Sequence, residues 1–283
     1  MRQLADLEHE KEISTVLVEL TSAFEGIAST RIAQIKDQVL KASEFFGDLW
    51  RIYSQIRVDK VFRFGRSQSQ GPVSPKELMI LITSEGSFSG DIDQKLVNFA
   101  ISRFNPASND IVVIGHHGFV QLLQNDVPVV KSFRMPTSDD NINVMPLITE
   151  VQKYNSTLVY YPSYVSLMNQ TIKTMALSLA VTEKGANVRP GEEIISEANY
   201  IFEPSTYAVV DHLERSMMQI MLSEVIMESK LAQYASRFRA MRLAHEKAED
   251  NNKDVSWQYS RAKRQLKDER LKEIINGLRK ATV

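Results

Sequence analysis

A chain of 283 residues, 43% hydrophobic and 24% charged, has the composition of a soluble globular protein of one or two domains. Its formal net charge of −1 gives no general attraction to nucleic acid or a lipid surface. The absence of cysteine excludes disulfides, thiolate metal sites and cysteine nucleophiles together, and fits a reducing compartment. No apolar run reaches the roughly 20 residues of a membrane-spanning helix. The start, MRQLADLEHEKEIS, is too charged for a signal peptide and too acidic for a typical transit peptide, so any tie to a membrane is expected through partners alone.

Residues 1–57 contain no proline and two glycines. Apolar residues recur at helical spacing: Ile13, Leu17, Leu20 and Phe24, then Ile32, Ile35, Val39, Ala42, Phe46, Leu49, Tyr53 and Ile56. The two runs are joined by steps of four through Ala28, a pattern that resembles a coiled-coil stutter. At 1.5 Å per residue the helix would be roughly 80 Å long, too long for a compact domain of this size.

Residues 58–206 differ in character. Leu78–Thr83, Ile111–Ile114 and Thr157–Tyr161 are apolar runs short enough for buried strands, and Asp93–Phe104, Gly118–Gln124 and Asn143–Tyr154 read as the helices between them. This alternation predicts a small, largely parallel, Rossmann-like α/β sheet flanked by helices. Arg66–Pro75 and Arg134–Asn141 read as polar, proline-containing mobile loops.

Residues 207–283 contain no proline and one glycine, Gly277. Alternating steps of four and three from Leu213 pass through Met217, Ile220, Glu224, Met227, Leu231, Tyr234, Phe238, Met241, His245, Ala248, Asn252, Val255, Tyr259, Ala262 and Leu266. That period of 3.5 predicts a left-handed coiled coil, with Glu224, His245 and Asn252 as register-setting or partly wet positions. Beyond Leu266 the pattern drifts to Leu271, Ile274, Ile275 and Leu278. The middle domain is too short to cover two such helices, so they are expected to bury their stripes against each other or a partner. The expected fold is an antiparallel two-helix coiled coil formed by the N- and C-terminal helices, with the α/β domain between them in sequence.

Local motifs agree with one family along nearly the whole chain. LTSAFEGIASTRI (Leu20–Ile32) resembles a segment of the type ITKAMEMVAASKM, matching at Thr21, Ala23, Ala28 and Arg31, with Ser22 where lysine is usual. LMILITSEGSFSG resembles a strand and glycine-rich turn of the type STDRGLCGG; Gly86 and Gly90 fit, whereas Glu85, Phe88 and Ser89 depart. VVIGHHGF resembles VIGxKG with His117 at the lysine, and YIFEP (Tyr200, Glu203, Pro204) fits YxxEP. Near the C-terminus, ESKLAQYASRFRAM resembles ENLASEQAARMVAM at Glu228, Arg237, Ala240 and Met241. YSRAKRQLKDERLKEIING resembles YNKARQASITQELTEIVSG at Arg264, Gln265, Glu273, Ile274 and Gly277, with Tyr259 offset by one position. Helix, α/β domain and longer helix, carrying these motifs in order, resemble the γ subunit of F-type ATP synthases. GIASTR also resembles the γ subunits of alternative, sodium-translocating F-type ATPases.

The resemblance implies a central-stalk rotor without catalytic, cofactor or metal sites of its own. It would stand at one copy per complex inside a hexamer of α and β subunits and rest on the ε subunit and the c ring. It would be peripheral to the cytoplasmic face of a bacterial membrane, or the matrix side of an organelle. Contacts to the α/β ring are expected from Arg261, Arg264, Gln265, Lys267, Glu269, Leu271, Ile274, Ile275, Leu278 and Arg31, and contacts to ε or the c ring from Tyr200, Glu203 and Pro204. Glu269 stands where the family tends to have threonine, a change expected to alter the grip on the ring.

Two other classes compete. GSFSG after a strand could cradle a phosphate, and His116–His117 could offer a metal ligand or base. Gly86-x-x-x-Gly90 is not a dinucleotide fingerprint, however, no P-loop sequence occurs, and adjacent histidines lack the spacing of a helical metal pair. A non-motor coiled-coil adaptor would use the same long helices, and periodicity does not separate it from a rotor. Nucleic-acid binding is the weakest reading, because the basic run is confined to one end and has few interleaved aromatics.

Overall fold

The computed structural model describes residues 4–55, 74–86, 88–137, 142–177, 201 and 203–281. In chain order these form α1 (Leu4–Gln55), β1 (Ser74–Ile82), α2 (Ile92–Ile101), β2 (Asn109–Ile114), α3 (His116–Gln124), β3 (Lys131–Phe133), α4 (Met145–Val151), β4 (Tyr154–Tyr164), β5 (Gln170–Ala176) and α5 (Thr206–Ala281). They divide into two compact units. One joins Met1–Ala28 to Phe238–Val283, and the other is Ser29–Arg237.

The larger unit is built on a five-stranded sheet in the order β3-β2-β1-β4-β5, parallel except for β5, which runs antiparallel to β4. All three predicted strands are present. The two that sequence patterning did not reveal are the edges. β3 is only KSF, and β5 (QTIKTMA) is half polar because an edge strand keeps one side near water. The continuous apolar run of β1 follows from burial on both faces. Met79 and Leu81 join Leu96, Val97, Ala100, Ile111, Val113, Leu122 and Tyr160 in the core on the α2–α3 side. Leu78, Ile80 and Ile82 point the other way and are equally buried.

α5 covers that second face. Glu228 takes a hydrogen bond from Ser163 of β4 and lies 3.5 Å from Lys173 of β5. Further along, the Ser236 hydroxyl donates to the Ser89 carbonyl at 2.7 Å. Between Met217 and Ser236 the helix is accordingly buried around most of its circumference, including Met217, Met221, Leu222, Val225, Ile226, Leu231, Ala232 and Ala235. The expectation that the middle domain is too small to cover the long helices does not hold for this stretch, because the open face of the sheet receives α5 directly. Burial, and then the carboxylates of Glu228 and Glu224, push the Tyr161 hydroxyl far above the usual phenol range.

An ion cluster ties the β3 edge to α4. Glu150, nearly buried, accepts from Lys131 at 2.6 Å and Lys153 at 2.8 Å. The hydrogen bond from Lys131, then that from Lys153, hold the Glu150 carboxyl below its ordinary value of 4.5 against the opposing effect of burial. A carboxyl lowered in the folded state contributes stability above its unfolded value and loses it as pH falls through the folded one. Glu150→Gln is therefore expected to cost about 1 kcal/mol at neutral pH and to flatten the loss of stability below pH 4.5, as read by denaturant titration across that range.

The smaller unit is a two-helix coil. Partners on α5 fall in number as those on α1 rise, so the pairing is antiparallel: Tyr259 donates to Glu8 at 3.2 Å, Asn251 to Ser14 at 3.3 Å, and His245 Nδ1 to the Val18 carbonyl at 3.2 Å. On α5 the seam is the predicted one, with Met241 and Val255 buried and His245, Ala248, Asn252, Tyr259, Ala262 and Leu266 half-buried. On α1 it is not. Leu7, Ser14 and Ala28 are buried and Thr21 half-buried, each seven residues from the next, with Lys11, Val18 and Glu25 half-buried beside them. This 3.5-residue register runs unbroken on to Ile32, Ile35 and Val39, so there is no stutter. The predicted stripe residues Ile13, Leu17 and Leu20 stand outside the seam, 45–49% exposed. Hydrophobic spacing identifies a stripe but not which surface it meets, and here Ser14 and Thr21, which bond across the helices, share the α1 seam with Leu7 and Ala28.

Candidate functional site

The last seam position of α5 is Leu266, and from Lys267 to Leu278 every residue is exposed. Among them are four large apolar side chains, Leu271, Ile274, Ile275 and Leu278, 42–63% exposed. Their spacing of three, four and seven places them on one helix face. Arg264 precedes Leu271 and Leu278 by seven and fourteen residues, so it lies in line with that face. Arg261, Arg264, Gln265, Lys267 and Glu269 are also exposed. The Arg261 guanidinium sits 5.5 Å from the Trp257 ring centre, and Lys263 5.5 Å from that of Tyr259, which steadies both long side chains against the helix. Arg264 and Gln265 have no hydrogen-bond partner among the described residues and project where a planar guanidinium and an amide can both reach outward. One end of one helix therefore brings together nine of the thirteen residues singled out in the sequence.

The other four lie elsewhere. Arg31 belongs to the α1 stretch of the larger unit, exposed and 3.5 Å from Gln34 of the same helix. Glu203 and Pro204 are exposed just ahead of α5, and Tyr200 lies outside the described residues.

The glycine-rich turn after β1 resolves into a structural clasp. Asp93, in the first turn of α2, accepts from the Ser84 backbone N–H at 3.0 Å, from the Ser84 hydroxyl, and from His117 Nδ1 at 3.3 Å. Ser89 donates to the Ser84 hydroxyl at 2.8 Å. A serine, a histidine and an aspartate in contact suggest nucleophilic chemistry, but Ser84 and Asp93 meet the same imidazole nitrogen, so the ring cannot pass a proton between them. Ser84, Ser89 and Asp93 are also no more than 2% exposed. His116 opens α3, its backbone N–H bonded to Glu85 at 3.2 Å. Thus the histidine pair and the turn close the ends of the inner strands β1 and β2, and the carboxylate at position 93 that organises them was missed because a lone Asp in a first helical turn reads as an ordinary helix start. The clasp also reaches α5: the Arg237 guanidinium lies 3.4 Å from the Gly86 carbonyl.

A paired-helix unit joined to an α/β unit, with an exposed basic and apolar helix end and a glycine-rich turn serving structure, defines a coiled-coil subunit that works by contact. The model of the family described as ATP synthase matches residues 10–279. An ATP synthase gamma chain of Mycoplasmoides gallisepticum is 21% identical, covering 99% of this chain and all of its own length. One from Geobacter metallireducens is 23% identical over 92% of each. Among solved structures, a chain of the Euglena gracilis mitochondrial ATP synthase OSCP/F1/c-ring assembly in rotational state 3 superposes with a TM-score of 0.64 at 13% identity, covering 97% of this chain and 94% of that one. A chain of the rotor of the same enzyme in rotational state 1 gives 0.61 at 13% identity, covering 93% and 99%.

The chain belongs to the ATP synthase gamma family. It is a non-catalytic central-stalk subunit of a rotary ATP synthase and a peripheral part of that membrane-bound complex. No helix among the described residues is long and apolar enough to cross a membrane.

Proposed function

We propose that the paired-helix unit turns inside a hexamer of alternating α and β subunits, one chain per hexamer, and that the exposed end of α5 is the part the hexamer grips. The observation that carries this reading is the placement of side chains in that unit. Ser14, Thr21, His245 and Asn252 share the seam with Leu7, Ala28, Met241 and Val255, while Ile13, Val16, Leu17, Leu20 and Ile27 on α1 and Leu271, Ile274, Ile275 and Leu278 on α5 face outward. A coil designed for water keeps its large apolar residues inside the seam and leaves few of them outside it. Such a coil gains by being enclosed.

In this reading Arg264 and Gln265 hydrogen-bond loops of the β subunits, Arg261 and Lys267 add charge attraction, and Glu269 modifies the grip. Leu271, Ile274, Ile275 and Leu278 sit in an apolar collar. Arg31 adds a contact at the lower rim, and Tyr200, Glu203 and Pro204 serve the ε subunit or c ring. Residues 1–57 and 207–283 form the shaft and residues 58–206 the domain mounted on it. The complex lies on the cytoplasmic face of a bacterial membrane, or the matrix side in an organelle. As the shaft turns, each β subunit meets a different side of it in succession, and a rigid element thereby biases discrete states at distant sites.

The test is co-expression with the α and β partners, followed by ATPase assay and observation of a bead fixed to the α/β unit. A 3:3:1 complex in which ATP turns the bead supports the reading. A chain that no hexamer captures, but that bridges other proteins, would place it with static coiled-coil adaptors.

A further inference from the structure

Between Leu4 and Ala28, α1 carries six Asp or Glu residues against one Lys, whereas α5 from Phe238 to Ala281 carries twelve Lys or Arg against seven Asp or Glu. The two helices of the smaller unit are therefore opposite in charge. The acid on α1 is also placed in register. Glu12 and Glu19 are exposed and seven residues apart, and each directly precedes an exposed apolar residue, Ile13 and Leu20. Ile27 continues the same seven-residue row at 56% exposure, and Val16 and Leu17, at 59% and 45%, widen it. On the seam side the same helix offers Ser14, Val18 and Thr21 to α5. Large apolar groups pointing away from the partner helix, bordered by a row of carboxylates, make α1 amphipathic toward a third surface.

We propose that Ile13, Val16, Leu17, Leu20 and Ile27, bordered by Glu12 and Glu19, form a second docking strip. It bears on a part of the hexamer's inner wall that is apolar and edged with Lys or Arg, opposite in sign to the wall gripped by the basic end of α5. This rests on the rotor reading above and adds to it that the shaft has two electrically distinct sides. Charge complementarity selects the occupant, because an acidic wall would be repelled by the Glu12–Glu19 row while a basic one is attracted and oriented by it. A given hexamer subunit then meets an acidic, apolar side and a basic side in alternation during one turn.

The experiment reconstitutes the full chain with its α and β partners and measures dissociation at low and high salt. Glu12→Lys with Glu19→Lys, both on an exposed helix face, is expected to weaken assembly about tenfold at low salt, and the loss should shrink as salt screens the charges. Glu246→Lys with Asp250→Lys, exposed on α5, serves as the control and is expected to leave assembly within about twofold. Because the chain has no cysteine, Leu20→Cys supplies a unique thiol for a photo-crosslinker, which should capture a hexamer segment containing Lys or Arg. The strip is refuted if reversing Glu12 and Glu19 leaves assembly unchanged or tightens it, if the crosslinker captures an acidic segment or nothing, or if the free chain dimerises through this face. Failure of the unmodified chain to assemble would sink the rotor reading instead.

Discussion

Arg264→Ala combined with Gln265→Ala is expected to lower the coupling of ATP hydrolysis to rotation about tenfold or more, while leaving the fold intact. Both side chains are exposed near the end of α5, beside the last seam position Leu266, so removing them opens no cavity. An arginine can present two parallel N–H donors to a carboxylate, and the neighbouring amide can donate and accept beside it. In the proposed contact, losing both would leave the facing groups of the hexamer desolvated and unpaired, and that penalty makes the expected effect large. Arg264→Lys separates charge from geometry: a lysine keeps the attraction but not the fork, so an intermediate defect is expected. Wild-type rotation and hydrolysis from the double alanine variant would refute the role given to this pair. The measurement is single-molecule rotation alongside bulk ATPase, with circular dichroism confirming an unchanged helix content.

Gly115→Ala is expected to have the largest effect on stability. Gly115 joins β2 to α3 with φ of 100°, where L side chains are strained, and a Cβ there would lie 2.1 Å from the Thr83 carbonyl oxygen and 2.7 Å from its carbon. That neighbour is backbone at the end of β1, the central strand, and it cannot move aside without breaking the Thr83 N–H bond to the Ile114 carbonyl. A cost of about 3 kcal/mol corresponds to a fall of about 10 °C in Tm, read by calorimetry of the full chain. Gly26→Ala is the matched control. It lies within α1 with nothing within 4 Å of the added carbon, and replacing a mid-helix glycine there should be neutral or stabilising by up to about 1 kcal/mol.

Those two sites also show where sequence informs and where it does not. The heptad through Met241, Val255 and Tyr259 was legible because one face of α5 meets one partner, and a single stripe then has a single meaning. Leu78–Thr83 was legible because a strand buried on both faces must be apolar throughout. Ile13, Leu17 and Leu20 misled for the converse reason: α1 has two stripes, one facing its partner helix through Ser14 and Thr21 and one facing outward, and apolar periodicity reports the outward one more loudly. β5 was hidden because an edge strand shares its composition with loops. The clasp of Ser84, Asp93 and His117 joins residues up to 33 apart in sequence, and only the sheet brings them together. Arg264 and Gln265 were found through family resemblance; their exposure and their alignment with the apolar row became visible in the structure.

From Lys267 to Ala281, α5 extends about 22 Å beyond Leu266, its last seam position among the described residues. An isolated helix of that length is marginal in water. In the free chain its amides should therefore exchange with deuterium nearly as fast as those of a peptide, while amides near Val255 stay protected. Enclosure by a partner should close that gap. The tip would then stiffen at the moment of assembly, so that part of the binding free energy is used to order it, and the free subunit would be a poorer torque-bearing rod than the same subunit inside its ring.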